Sequence, residues 1–186
     1  MSMNDNRSRL IDIAEASAQR GGLKALSFRT LADEVGIKSS SVHYHFPEKA
    51  DLARTLIEQY RDKLFVKLDA IALGNESLKS QFLAFIEIFR DLSSDNRVCL
   101  LCMMASEFAA LNTANKALLA NVFSNLENWL ETLFDSKRDE LAVDLPSGQL
   151  SRLALSGLEG ALLVDRVMQN SERLDAQKQV FLHFMK

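Results

Sequence analysis

Apolar residues recur at helical spacing along almost the whole chain. Leu10, Ile13, Ala14 and Ser17 share one stripe, which predicts a first helix from about Asn6 to Gln19, stopped by Gly21-Gly22. Ser27 is placed to cap a second helix, Phe28 to Val35, whose buried stripe is Phe28, Leu31, Ala32 and Val35. Gly36 suits the left-handed residue that ends it. A third helix is expected from about Ser39 to His45, with Val42 and Phe46 turned inward. Pro47 disfavours helical geometry at Phe46 and fits the first turn of a fourth helix. Leu52, Leu56, Tyr60, Leu64 and Leu68 give that fourth helix a long amphipathic face. Beyond Gly74 the stripes lengthen. Leu78, Phe82, Phe85, Ile86 and Phe89 form one, and Leu119, Val122, Phe123, Leu126, Leu130 and Leu133 another. Val98 to Leu111 is apolar on most sides, as a buried helix is. Pro146 opens a helix to about Asn170, and Ser171 is placed to cap a last one that ends near Phe184.

Composition agrees with an all-α fold. The 186 residues include 30 Leu and 20 Ala against nine Val, seven Ile and four Thr, with 7 Gly and 2 Pro. Straight-chain residues lose little rotamer freedom in a helix, whereas Gly and Pro break one. The longest apolar run, Val98 to Ala105, has eight residues, too few for a membrane span of about 17 or more. Met1 to Leu10 is polar, with no hydrophobic signal region, and the two cysteines read as thiols in a reducing cytoplasm. The net charge of −3 does not by itself suggest a nucleic-acid partner. No cofactor or metal is expected. His43 and His45 stand two apart and so point to different sides of a helix, and neither cysteine has a metal-ligand spacing to a histidine.

The stretch that carries chemistry is SFRTLADEVGIKSSSVHYHFPEK, from Ser27 to Lys49. Two short helices around a Gly-containing turn describe a helix-turn-helix. The major groove of B-DNA is about 12 Å wide and admits one helix with hydrogen-bonding side chains. The third helix offers Ser39, Ser40, Ser41, His43, Tyr44 and His45, many donors and no carboxylate. The bland alternative, on spacing alone, is a helical hairpin inside a bundle. The segment closely resembles the N-terminal domain of the tetracycline-repressor (TetR) family of bacterial transcription regulators. The pattern G-[IV]-x-x-[SG]-x-[IVL]-x-x-[HY]-F-x-x-K is met at Gly36, Ile37, Ser40, Val42, His45, Phe46 and Lys49. The family commonly has Tyr or Phe where His43 stands. The resemblance covers roughly residues 7–55, and beyond residue 75 it is one of layout only.

That resemblance implies a helix-turn-helix domain over residues 1–50 and a ligand-binding and dimerisation bundle over residues 51–186. It implies a homodimer on pseudo-palindromic operator DNA. Arg29 and Thr30 would touch phosphate at the start of the second helix, and Lys49 at the start of the fourth. Lys38, Ser39, Ser40, Ser41, His43 and Tyr44 would supply groove and backbone contacts, with His45 half packing and half phosphate. Arg7 and Arg9 are placed to reach the backbone from the N-terminal arm. The family builds its dimer interface on the last two helices, here around Ala154, Gly157, Gly160 and Ala161, with Phe181 and Phe184.

In the C-terminal half, soft Met and aromatic walls suit an apolar effector pocket. The candidates are Phe85, Phe89, Cys99, Cys102, Met103, Glu107 and Phe123. Glu107 is the one charge between Val98 and Leu111, either satisfied by a neighbour or aimed at a polar group of the ligand. Cys99 and Cys102 lie one turn apart, either as packing or as an electrophile or oxidant sensor. No catalytic constellation is legible, so the chain reads as a non-enzyme. The expected function is a ligand-responsive transcription regulator, most readily a repressor. The competing readings are an effector-free interaction or architectural bundle and a thiol sensor.

Overall fold

The computed structural model describes residues 3–74 and 77–186. Nine α-helices follow in order among them: α1 (Met3–Gly21), α2 (Phe28–Val35), α3 (Ser39–His45), α4 (Lys49–Leu73), α5 (Leu78–Ser94), α6 (Leu100–Ser106), α7 (Thr113–Ser136), α8 (Ser147–Met168) and α9 (Glu172–His183). Single 3-10 turns lie at Leu23–Ala25, Phe108–Ala110 and Arg138–Glu140. No strand occurs among the described residues. No helix there is long and apolar enough to cross a membrane.

The chain divides into two compact units. The first runs up to Asp62 and takes back Leu100–Ala120; the second holds Lys63–Cys99 and Asn121–Lys186. This differs from a division at residue 50. The first turns of α4 belong to the same unit as the helix-turn-helix, and α6 returns to lie against α1. The reason is burial: Leu52, Leu56 and Ile57 of α4 are fully enclosed, as are Leu10, Ile11 and Ala14 of α1. Removing a Leu or Ile side chain from water contributes about 1.5–3 kcal/mol. A head of α1, α2 and α3 alone would leave those faces wet.

The first unit is organised around Val42 and Phe46 of the α3 region, both essentially inaccessible. Gly36 ends α2 at φ 77°, ψ 37°, and its N–H reaches the carbonyls of Ala32 and Asp33. The second unit has an aromatic centre. Phe82 of α5 meets Phe181 of α9 at 4.7 Å and Phe134 of α7 at 5.8 Å, and Phe134 stacks on Phe181 at 6.3 Å. Offset and edge arrangements of this kind add about 0.5–1.5 kcal/mol per pair beyond area.

Helix ends in the second unit are held by residues distant in sequence. Ser77 caps α5, accepting from Ser80 N–H at 3.2 Å, and Glu140 accepts the Leu78 N–H at 2.7 Å. Ser171 makes no side-chain cap on α9. Asp165, buried within α8, takes that role and accepts from the N–H groups of Arg173 (3.0 Å) and Leu174 (2.9 Å). Ser27 likewise starts α2 through its carbonyl rather than its hydroxyl. Arg90 of α5 donates to Asp175 of α9 at 2.7 Å, and that bond raises its pKa further above the ordinary arginine value.

The stretch Val98 to Leu111 is not one helix. α6 stops at Ser106, Glu107 is non-helical at φ −107°, ψ 25°, and a 3-10 turn follows. A carboxylate in an otherwise apolar stripe cannot continue into the core without a partner. The chain bends there and Glu107 finds a backbone donor.

Candidate nucleic-acid interface

α2 packs across α1 and α3, so the reading helix is held from behind by apolar contacts. Phe28, at the start of α2, meets the His43 ring edge-on at 4.9 Å and 74°. The contact fixes the orientation of the His43 imidazole while leaving the residue exposed. Tyr44 is 70% exposed, with only an edge contact to His45 at 5.4 Å. His45 is half-buried and lies between Tyr44 and Phe46. Ser39 and Ser40 are exposed, and Ser41 is half-buried.

Around this helix Arg29, Thr30, Lys38 and Lys49 are all exposed. Each sits at a helix start: Arg29 and Thr30 in the first turn of α2, Lys38 just before α3, and Lys49 as the first residue of α4. Helix N-termini carry free N–H groups and partial positive charge, so cations there reinforce an anion-attracting surface. α3 itself has no carboxylate. Near the start of α1 the guanidinium of Arg7 lies 5.5 Å from the centre of the Phe46 ring. Such a cation–π contact engages Arg7 with the core edge.

The first unit also has polar ties that sequence reasoning missed. Gly22 is buried at φ 74°, ψ −177°, a conformation restricted to glycine. A Cβ there would lie 2.2 Å from Glu107 Oε1 and 3.6 Å from the end of Met103. Lys24 N–H points at the same Oε1 at 3.4 Å. Asn115, at the start of α7 and almost wholly buried, donates to the Ala50 carbonyl in the first turn of α4 at 2.9 Å. The 107–115 stretch therefore grips the α1–α2 link and the start of α4. Gly21-Gly22 was legible as a helix stop, but nothing local points to Glu107.

The other candidates are dispersed. Phe85 and Phe89 are core residues of the second unit. They meet each other at 5.3 Å, and Phe85 rests against Trp129 at 5.6 Å. Cys99 is buried and Phe123 half-buried in that unit, while Cys102, Met103 and Glu107 belong to the first. Among three described cavities, of about 370, 130 and 420 Å³, only Glu107 of this set lines a wall. The small-residue strip of α8 lies in the second unit. Ala154 and Ala161 are buried within the chain, as is Phe181, and Phe184 lies half-buried against Phe181. The close approach at Gly157 is to α9 of the same chain, where a Cβ on the glycine would lie 2.6 Å from Gln177 Oε1; Gly160 faces open space. The accessible side of α8 carries Leu153, Leu163, Val164, Val167 and Met168 instead.

A helix-turn-helix with a carboxylate-free reading face and a ring of basic residues at helix starts defines the class. Residues 10–56 match the profile of the bacterial regulatory proteins, tetR family. The chain is 33% identical over 89 residues to the HTH-type transcriptional repressor KstR2 of Mycobacterium tuberculosis, a stretch covering 46% of this chain and 44% of that repressor. The match thus spans less than half of that relative. Among solved structures, a TetR transcriptional regulator from Legionella pneumophila is 28% identical with a TM-score of 0.87, covering 96% of each chain. A TetR-family regulator from Agrobacterium tumefaciens shares the fold at TM-score 0.93 and 21% identity over the whole of both chains. Residues 10–56 are thus similar to the tetR family of bacterial regulatory proteins, and the fold of the whole chain is that of the solved TetR-type regulators.

Proposed function

We propose that this protein is a transcription regulator, acting as a repressor, that binds a pseudo-palindromic operator as a homodimer and is released by a small apolar or aromatic effector. The observation that carries the DNA reading is the α3 face. Ser39, Ser40, His43 and Tyr44 stand exposed on a helix anchored from behind by Val42 and Phe46. Arg29, Thr30, Lys38 and Lys49 supply phosphate and backbone contacts, Ser41 and His45 the partly buried flank. Phosphate contacts set register and base-edge contacts set sequence.

The dimer reading is supported by the second unit. Leu153, Val164 and Val167 fall at helical spacing on the accessible side of α8, Val167 being 78% exposed, with Leu163 and Met168 beside them and Val180 exposed on α9. A contiguous apolar surface of that kind marks an association face. Gly160, open on one side, allows a second helix to come close. The acting site would be the cytoplasm, where the DNA is.

The test is selection of genomic fragments by the purified protein. Enrichment of near-palindromes with half-sites roughly 34–36 Å apart, or a multiple, is the expected result. Recovery of fragments without a shared sequence would overturn the operator reading.

A further inference from the structure

His43 stands exposed on α3, and its ring meets that of Phe28 at 4.9 Å and 74°. That ring is the partner the imidazole has among the described residues, where no hydrogen bond or ion pair engages it. The α2 stripe predicts that Phe28 is enclosed, yet it is only half-buried, in the first turn of α2 between exposed Ser27 and Arg29. It spends its apolar surface on a polar ring of the reading helix rather than on the core. A half-buried aromatic packed on an exposed imidazole restricts how that imidazole can turn.

Histidine is the side chain that changes charge between about pH 5 and 8. The charges around His43 decide what a DNA backbone would add. On α2, which packs against α3, they are Arg29 beside Phe28, with Asp33 and Glu34 towards the turn. Lys38 precedes α3, and Glu48 and Lys49 follow it; Tyr44 and His45 are the other titratable groups on α3. Arg7 of α1 is engaged with Phe46, and Asp51 of α4 with the Glu48 N–H. Arg29, Lys38 and Lys49 match the three carboxylates in number, and all six are exposed. A phosphate set against α3 would therefore be the strongest charge acting on the imidazole. A neutral imidazole has one N–H donor and one acceptor nitrogen, whereas the imidazolium has two donors and a positive charge.

We infer that His43 is a proton-linked phosphate contact and that Phe28 is the positioning residue that holds its ring for it. On DNA binding the neutral imidazole takes one proton from solvent, and the imidazolium donates to a phosphate oxygen. This rests on the DNA reading proposed above and adds regulation by pH to the same face. The sign follows from the charge. Phosphate favours the charged ring, so the gain in affinity is present at the acid end and is lost as pH rises and the proton leaves. Each His43 brought to phosphate neutralises one more backbone charge in its protonated form, so the salt dependence steepens with the affinity.

The test is fluorescence anisotropy at about pH 5.5 and about pH 8, on a labelled duplex of random sequence and on the fragments recovered by genomic selection. Affinity should be about tenfold or more higher at the lower pH. The salt dependence should be steeper there by about 0.9 units of slope for each His43 engaged. His43→Tyr keeps a ring and a donor but does not titrate below about pH 10, so both differences should collapse. Phe28→Leu keeps apolar volume without the ring and should shrink both differences, and Phe28→Tyr, which restores a ring, should restore them. In a His43→Tyr background, Phe28→Leu should change neither. Affinity independent of pH, or an undiminished pH difference in His43→Tyr, would overturn the contact. A Phe28→Leu protein that loses stability but keeps the full pH difference would overturn the positioning role. A pH difference on the random duplex with no sequence selected from the genome overturns the regulator reading and leaves His43 standing. Selection of an operator with no pH difference overturns the His43 contact alone.

Discussion

Between α2 and α3, the parts that meet are near one another in the chain: Phe28 finds His43, and Val42 and Phe46 lie one turn apart. In the second unit, Phe82, Phe134 and Phe181 come from α5, α7 and α9 to make one cluster. The same contrast holds for polar groups. The head keeps its hydroxyls, imidazole and cations exposed on α3 and at helix starts. The second unit buries Gln81 and Asp165 and uses each to satisfy the end of a helix. One region is built to present side chains and the other to hold helices. Substitutions on the exposed α3 face should therefore separate binding from stability, and those at the buried positions of the second unit should not.

The largest effect is expected in the aromatic centre. Phe82→Ala removes a fully buried ring that touches three others. Urea unfolding should show a loss of about 3–5 kcal/mol. A loss under about 1 kcal/mol would mean that the cluster packs less tightly than the distances indicate.

Asp165→Ala should follow. It leaves the first turn of α9 without its cap and Arg173 without a buried partner (3.4 Å). About 2 kcal/mol is expected, with the amide protons of α9 losing exchange protection first. Asp165→Asn keeps one acceptor and should cost less. Uniform loss of protection over the whole unit would show that the cap is not local.

Gly22→Ala sharpens the comparison from within the first unit. The backbone there disfavours any side chain and the methyl meets Glu107, so about 1–3 kcal/mol of destabilisation is expected. Pairing it with Glu107→Gly removes the collision and should recover part of the loss, leaving the backbone strain. A double-mutant cycle with no coupling would detach Glu107 from the α1–α2 link.

Tyr44→Ala and Lys49→Ala should have the smallest effect on stability, within about 0.5 kcal/mol, because both are exposed. Yet operator affinity should fall in each. Lys49→Ala should also flatten the salt dependence by about one unit of slope, since one phosphate is no longer neutralised. Unchanged affinity in both variants would break the assignment of this face.

How much was legible in the chain follows from the same contrast. α2 and α3 lie where their stripes and Gly36 place them, because amphipathic spacing and a left-handed stop are local properties. The α3 face was legible for the same reason: exposure on a short helix follows from which two residues point inward. The effector candidates were chosen as soft and apolar residues, and a residue of that kind is equally at home in a core. Phe85 and Phe89 are buried in the core of the second unit, a place their type alone does not distinguish from a pocket wall. The small residues of α8 pointed to close approach, and it occurs at Gly157, but toward Gln177 of the same chain.

The sequence by itself determined most of the helices, the helix-turn-helix and its likeness to the tetR family over residues 10–56, since each depends on periodicity, breakers and a short pattern read within one stretch. Tertiary structure alone decided that α6 returns to the head, that Glu107 and Asn115 grip it, that Asp165 caps α9, and that Gln81 holds the last carbonyls of α4. These are hydrogen bonds and approaches between groups far apart in the chain. A residue's type gives its capacity to donate or accept, but only the packed fold decides which partner lies within reach.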